Sequence, residues 1–65
     1  MEPRTNVEVK LVGEDGNAFS IMGRVSRELK RAGYNEDFVK QYQNEATSGD
    51  YDNLLRVTME YVKVV

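Results

Sequence analysis

The sequence predicts a small α+β domain, with three helices packed on a two-stranded sheet built from the two ends of the chain, in the order β-α-α-α-β. Three observations carry that reading. Apolar and polar residues alternate over residues 7–12 with the period of a strand buried on one face. Three segments between Ala18 and Tyr61 repeat apolar residues at helical spacing, each preceded by an Asn or Asp suited to capping. The tail Val62, Val64 and Val65, alternating around Lys63, has β-branched strand character again.

Residues 1–6 lack periodicity and hold the only proline, so they read as a flexible leader to a single domain over 7–65. In the first strand Val7, Val9 and Leu11 face one way, and Glu8, Lys10 and Val12 the other. Gly13-Glu14-Asp15-Gly16 breaks the pattern with turn-forming residues. Asn17 then caps a helix over 18–32, with Ala18, Ile21, Met22, Val25, Leu29 and Ala32 on one stripe. Gly33 stops it as the left-handed residue of a Schellman motif, with Leu29 and Tyr34 as the accompanying apolar pair. Lys30 and Arg31 complement the dipole of that last turn.

Asn35 caps the second helix, and Tyr34 and Val39 have the spacing of a hydrophobic staple. Its stripe of Phe38, Val39, Tyr42 and Ala46 is narrow, which suggests a cover over the core. Tyr34, Phe38, Tyr42 and Tyr51 read as core-edge residues, the tyrosine hydroxyls reaching water. Asp50 caps a third helix over 51–61, whose wide apolar arc takes in Tyr51, Leu54, Leu55, Val57, Met59 and Tyr61. Such an arc implies burial on more than one side, and so a central helix. The terminal strands have each other as the obvious partner, with antiparallel pairing expected.

Composition excludes whole classes of chemistry. Cysteine is absent, which removes disulfides, thiol nucleophiles and thiolate metal sites. Histidine is absent too, and with it the commonest general base and transition-metal ligand. With no apolar run near the roughly 20 residues of a membrane span and no signal-peptide core, a cytoplasmic address without membrane contact is expected. A net charge of −2 supplies no global field for nucleic acid.

The segments Asp15-Gly16-Asn17-Ala18-Phe19-Ser20-Ile21-Met22-Gly23 and Glu45-Ala46-Thr47-Ser48-Gly49-Asp50-Tyr51-Asp52-Asn53-Leu54-Leu55, with the closing Tyr61-Val62-Lys63-Val64, resemble a family of short uncharacterised proteins from bacterial and phage genomes. The resemblance covers most of residues 7–65. It implies a phage-borne or accessory setting, and it carries over no activity, cofactor or site residue.

Each candidate for chemistry has a plainer structural role. The loop of residues 13–17 sits where phosphate-binding loops sit, but Glu14 and Asp15 would repel a phosphate, so it reads as a turn and helix cap. Asp50 and Asp52, with Ser48 and Asn53 nearby, lack the 12-residue ligand series of an EF-hand loop and read as capping groups. Paired carboxylates need a concave pocket and contrasting environments, for which so short a chain has little room. No enzyme and no cofactor are expected.

Two surfaces remain. Arg24, Arg27 and Arg31 line one side of the first helix and could straddle phosphates, although Glu28 interrupts the row and no aromatic interleaves it. Phe19 points off the main stripe, and either packs under the strand or stands exposed as an anchor. Val12, Phe19, Val57, Met59 and Val65 are also hard to bury together in one small core. The function expected is therefore a non-catalytic protein-interaction module, acting by self-association or with a protein partner. Pairing of strand edges across a two-fold axis would cover the outward valines. The alternative is a nucleic-acid-associated protein using the arginine face.

Overall fold

A computed structural model describes residues 3–11 and 16–65. The chain runs β1 (Glu8–Val9), α1 (Ala18–Arg31), α2 (Glu36–Ala46), α3 (Tyr51–Tyr61) and β2 (Lys63–Val64), which is the expected order. Residues 12–15 lie outside the described part, so the outward placement of Val12 and the turn at 13–15 do too.

Each helix begins where its capping residue dictates. The Asn17 side chain accepts from the Phe19 N–H at 2.8 Å, Asn35 from Phe38 at 2.9 Å, and Asp50 from Asn53 at 2.9 Å. Caps of this kind are worth about 1 kcal/mol each, a large share of the stability of a domain this size. The end of α1 is equally well defined. Gly33 has φ +99°, its N–H reaches the Lys30 carbonyl at 3.0 Å, and the Tyr34 N–H reaches the Leu29 carbonyl at 3.1 Å. Those two bonds are the 5→2 and 6→1 pair of a Schellman motif. Tyr34, whose expected staple partner is Val39, stacks its ring on Phe38 with centroids 4.7 Å apart.

The two strands pair in parallel, with Glu8 opposite Lys63 and Val9 opposite Val64, which corrects the antiparallel expectation. Parallel neighbours require a crossover of a dozen or more residues, and here the whole three-helix layer is that crossover. Lys63 donates to the Val7 carbonyl at 2.8 Å and Val65 to that of Val9 at 3.0 Å. The same alignment continues upstream of the sheet, where Arg4 N–H reaches Glu60 O at 2.8 Å and Thr5 N–H reaches Tyr61 O at 3.2 Å. Thr5 is buried. A loose leader over 1–6 did not anticipate this docking, because its signal is tertiary pairing rather than periodicity.

Val9, Ile21, Val25, Leu29, Val39, Tyr42, Ala46, Leu54, Val57, Tyr61 and Val62 form the core, with Val7 and Leu11 packed against it. Two expectations about the helices are corrected. The helix α2 is no mere cover: Tyr42 is fully buried, and its hydroxyl meets Thr58 Oγ1 at 2.8 Å instead of water. The wide arc of α3 is buried along only part of its width. Leu54, Val57, Thr58 and Tyr61 are inside, Leu55 is half-buried, and Tyr51 and Met59 are exposed. Val57, counted among the residues hard to bury, is therefore in the core.

Two glycines of α1 and its stop should respond oppositely to alanine. Gly23 lies on the exposed side of the helix interior, where an added Cβ would meet nothing within 4 Å, so Gly23→Ala should stabilise by about 0.5–1 kcal/mol. Gly33→Ala forces a side chain into the left-handed region and should cost about 1 kcal/mol or more. Chemical denaturation of the two variants checks the pair; a stabilised Gly33→Ala chain would refute the cap.

Candidate functional site

A connected cluster of side chains meets at Tyr61. Its ring packs edge-on against Tyr42 and Phe38, with centroids 5.3 and 5.5 Å away, while the Arg4 guanidinium lies over its face at 4.5 Å. Its hydroxyl donates to Glu45 Oε2 at 2.7 Å and accepts from Arg4 Nη1 at 3.0 Å. Its carbonyl accepts from Thr5 Oγ1 at 2.6 Å. Glu45 also accepts from Gln41 Nε2 at 3.3 Å and stands 3.8 Å from Arg4 Nη2.

Burial, then the Glu45 hydrogen bond, pushes the Tyr61 hydroxyl up to about 12. Burial also raises Tyr42, with the Thr58 bond opposing it. The hydrogen bond from Tyr61, helped by Gln41 and Arg4, holds Glu45 below the ordinary carboxyl value. Each group is thus held in its resting protonation state: tyrosine neutral, glutamate ionised. General acid–base work near neutrality needs the opposite, a group poised close to the working pH. The cluster is a lock between the N-terminal segment, α2 and α3. Among the described residues no buried side-chain polar atom lacks a hydrogen-bond partner, and no three acidic residues gather to hold a metal ion.

The arginine row is drawn toward its own helix. Glu28 Oε2 lies 3.4 Å from Arg31 Nη1 and 3.9 Å from Arg27 Nε, and Arg24 is half-buried. One carboxylate therefore stands between the two exposed guanidiniums of the row. Phosphate binding there would have to compete with it.

The other surface is apolar. Phe19 is 81% exposed, Met59 56%, Val65 53%, Tyr51 45% and Val64 39%. Phe19 borders a hollow of about 280 Å³ whose walls include Ala18, Met22, Ala46, Tyr51 and Leu54. The helix cap at Asn17 fixes where α1 starts, and so sets Phe19 at its second position, on the rim. Tyr51 is held on the same rim by its hydroxyl, which donates to the Gly16 carbonyl. Leu55 and Met59 follow Tyr51 at spacing four along one flank of α3. A second hollow, of about 370 Å³, also borders Phe19 and Met22, against Gly23, Gln43, Asn44 and Thr47.

Of the residues singled out in the sequence, Phe19 thus stands at a formed hollow, and Arg27 and Arg31 converge on Glu28. Val65 is exposed just past β2 and is not among the walls of the Phe19 hollow. The hollow itself was hidden in the sequence, because its walls come from α1, α2 and α3 at once. Phe19 was its one legible sign, an aromatic that points off the main stripe of α1.

The raised Tyr61 value has a consequence for alkaline stability. Above pH 10 an unfolded chain ionises this tyrosine, whereas the folded chain keeps the proton until about 12, so stability should fall as pH rises through that window. Tyr61→Phe should flatten the fall, at the cost of lower stability near neutrality, where Arg4 and Glu45 lose their partner. Thermal melts of both chains from neutral pH to about pH 12 compare the slopes, and equal slopes would remove Tyr61 as the cause.

Comparison with protein-family models, with curated proteins and with solved structures finds no match to this chain.

Proposed function

We propose that this chain is a non-catalytic protein-interaction module that acts by self-association, in the phage-borne or accessory setting its sequence resemblance implies. The observation that carries the reading is the exposure of Phe19, Met59 and Val65 on a chain of 65 residues. Single exposed apolar residues are ordinary on a protein surface. A phenyl ring four-fifths exposed beside an apolar hollow, continued along a helix flank by Tyr51 and Met59, is a surface that association would stabilise. The Tyr61 cluster fits a structural role, since its polar groups are spent on one another between the N-terminal segment, α2 and α3.

Two parts of the surface are available for a second copy: the outer edge of β2 with Val64 and Val65, and the Phe19 face. Self-association predicts a species near twice 7.5 kDa in analytical ultracentrifugation at tens of micromolar. Apolar contact should also persist as salt is raised, unlike phosphate-driven binding. A single species near 7.5 kDa up to the highest soluble concentration overturns the reading.

A further inference from the structure

We infer that the second copy docks on the Phe19 face, with the Phe19 ring of each protomer seated in the hollow of the other across a two-fold axis. This rests on the self-association proposed above and specifies its surface. Two-fold contacts are self-complementary: whatever one protomer inserts, it must also be able to receive. The Phe19 face meets that condition, because it carries a projecting apolar ring and an adjoining apolar hollow side by side.

The sizes agree. A cavity of about 150 Å³ lined by aliphatic side chains accommodates a benzene ring. The hollow of about 280 Å³ here, walled by Ala18, Met22, Ala46 and Leu54, has room for one phenyl ring and its approach. Its two flexible or small apolar walls, Met22 and Ala46, can close on a planar group. Among the described residues, the one ionisable group at the hollow besides the Tyr51 phenol is Asp50, and its carboxylate is already turned to the Asn53 N–H as a helix cap. A ring entering the hollow leaves that carboxylate with its partner.

The area suits a weak, reversible dimer. A seated ring of this size removes on the order of 150 Å² from water and covers a smaller area of wall, so the two reciprocal seats together bury roughly 450 Å². Tyr51, on the rim of each hollow, adds to the contact, which stays below the total of about 1,000 Å² of a stable interface and within the range of transient ones. The β2 edge offers less. Its strand is only two residues long, and Lys63 stands exposed on it, a residue that discourages edge pairing.

The chain has no tryptophan, which makes the seat directly observable. Phe19→Trp keeps an aromatic anchor and introduces the sole indole. Its emission should shift to the blue as concentration is raised through the monomer–dimer transition followed by ultracentrifugation. Phe19→Ala should weaken dimerisation at least tenfold while leaving the far-ultraviolet circular dichroism and the melting temperature near those of the parent, because the side chain lies outside the core. Dimerisation with an indole that stays solvent-exposed, or that is blue-shifted at every concentration, overturns the reciprocal seat. So does a dimer that survives Phe19→Ala and is dissociated by Val65→Lys, although self-association would then stand through the strand edge. A chain that remains monomeric throughout overturns both.

Discussion

The fold depends on one buried phenol. Tyr61 is the last residue of α3, it is inaccessible to solvent, and through ring, hydroxyl and carbonyl it is joined to two other parts of the chain, α2 and the N-terminal segment. Burying a tyrosine hydroxyl is costly unless it finds partners, and here it finds two, Glu45 from α2 and Arg4 from the N-terminal segment. The Thr5 contact to the carbonyl places the chain so that β1 runs beside β2 immediately afterwards. The parallel sheet is thus continuous with the Tyr61 lock. Two strands of two residues each would be marginal alone.

A second constraint is size. A chain of 65 residues without disulfides buries only about 60% of its unfolded surface and has no covalent staple to compensate. This domain meets that with local definition: three side-chain caps, one Schellman stop and an aromatic row of Tyr34, Phe38, Tyr61 and Tyr42 in successive ring contact. Polar groups inside the domain are matched pairwise, Tyr42 with Thr58 and Ser26 with Gln43 at 2.9 Å. Such matched groups cost little and specify register, since a slipped helix would leave them unpaired.

The apolar residues left over after this core is filled are what give the molecule a surface to act with. Phe19 cannot join the core without unwinding the first turn of α1, because its position is fixed by the Asn17 cap. The arc of α3 is wider than one side of the domain can cover, so Tyr51 and Met59 stay outside. Their outward placement follows from the same local signals that build the fold. The arginine row lies on a different face, where Glu28 holds two of its three members.

What the sequence by itself determined is whatever depends on neighbours along the chain. The caps at Asn17, Asn35 and Asp50, the stop at Gly33 and the inward set of Val9, Ile21, Val25 and Leu29 were legible because a few adjacent residues fix the hydrogen bonds and the facing side. Only the tertiary structure decided the rest. Parallel pairing, the docking of Arg4 and Thr5, the burial of Tyr42 and the hollow beside Phe19 all arise between segments far apart in the chain. Periodicity reports which side of an element is apolar. It carries no information about which segment covers that side, or whether a wide apolar arc is covered across its full width, and those choices are made by the packing of three helices around one small core.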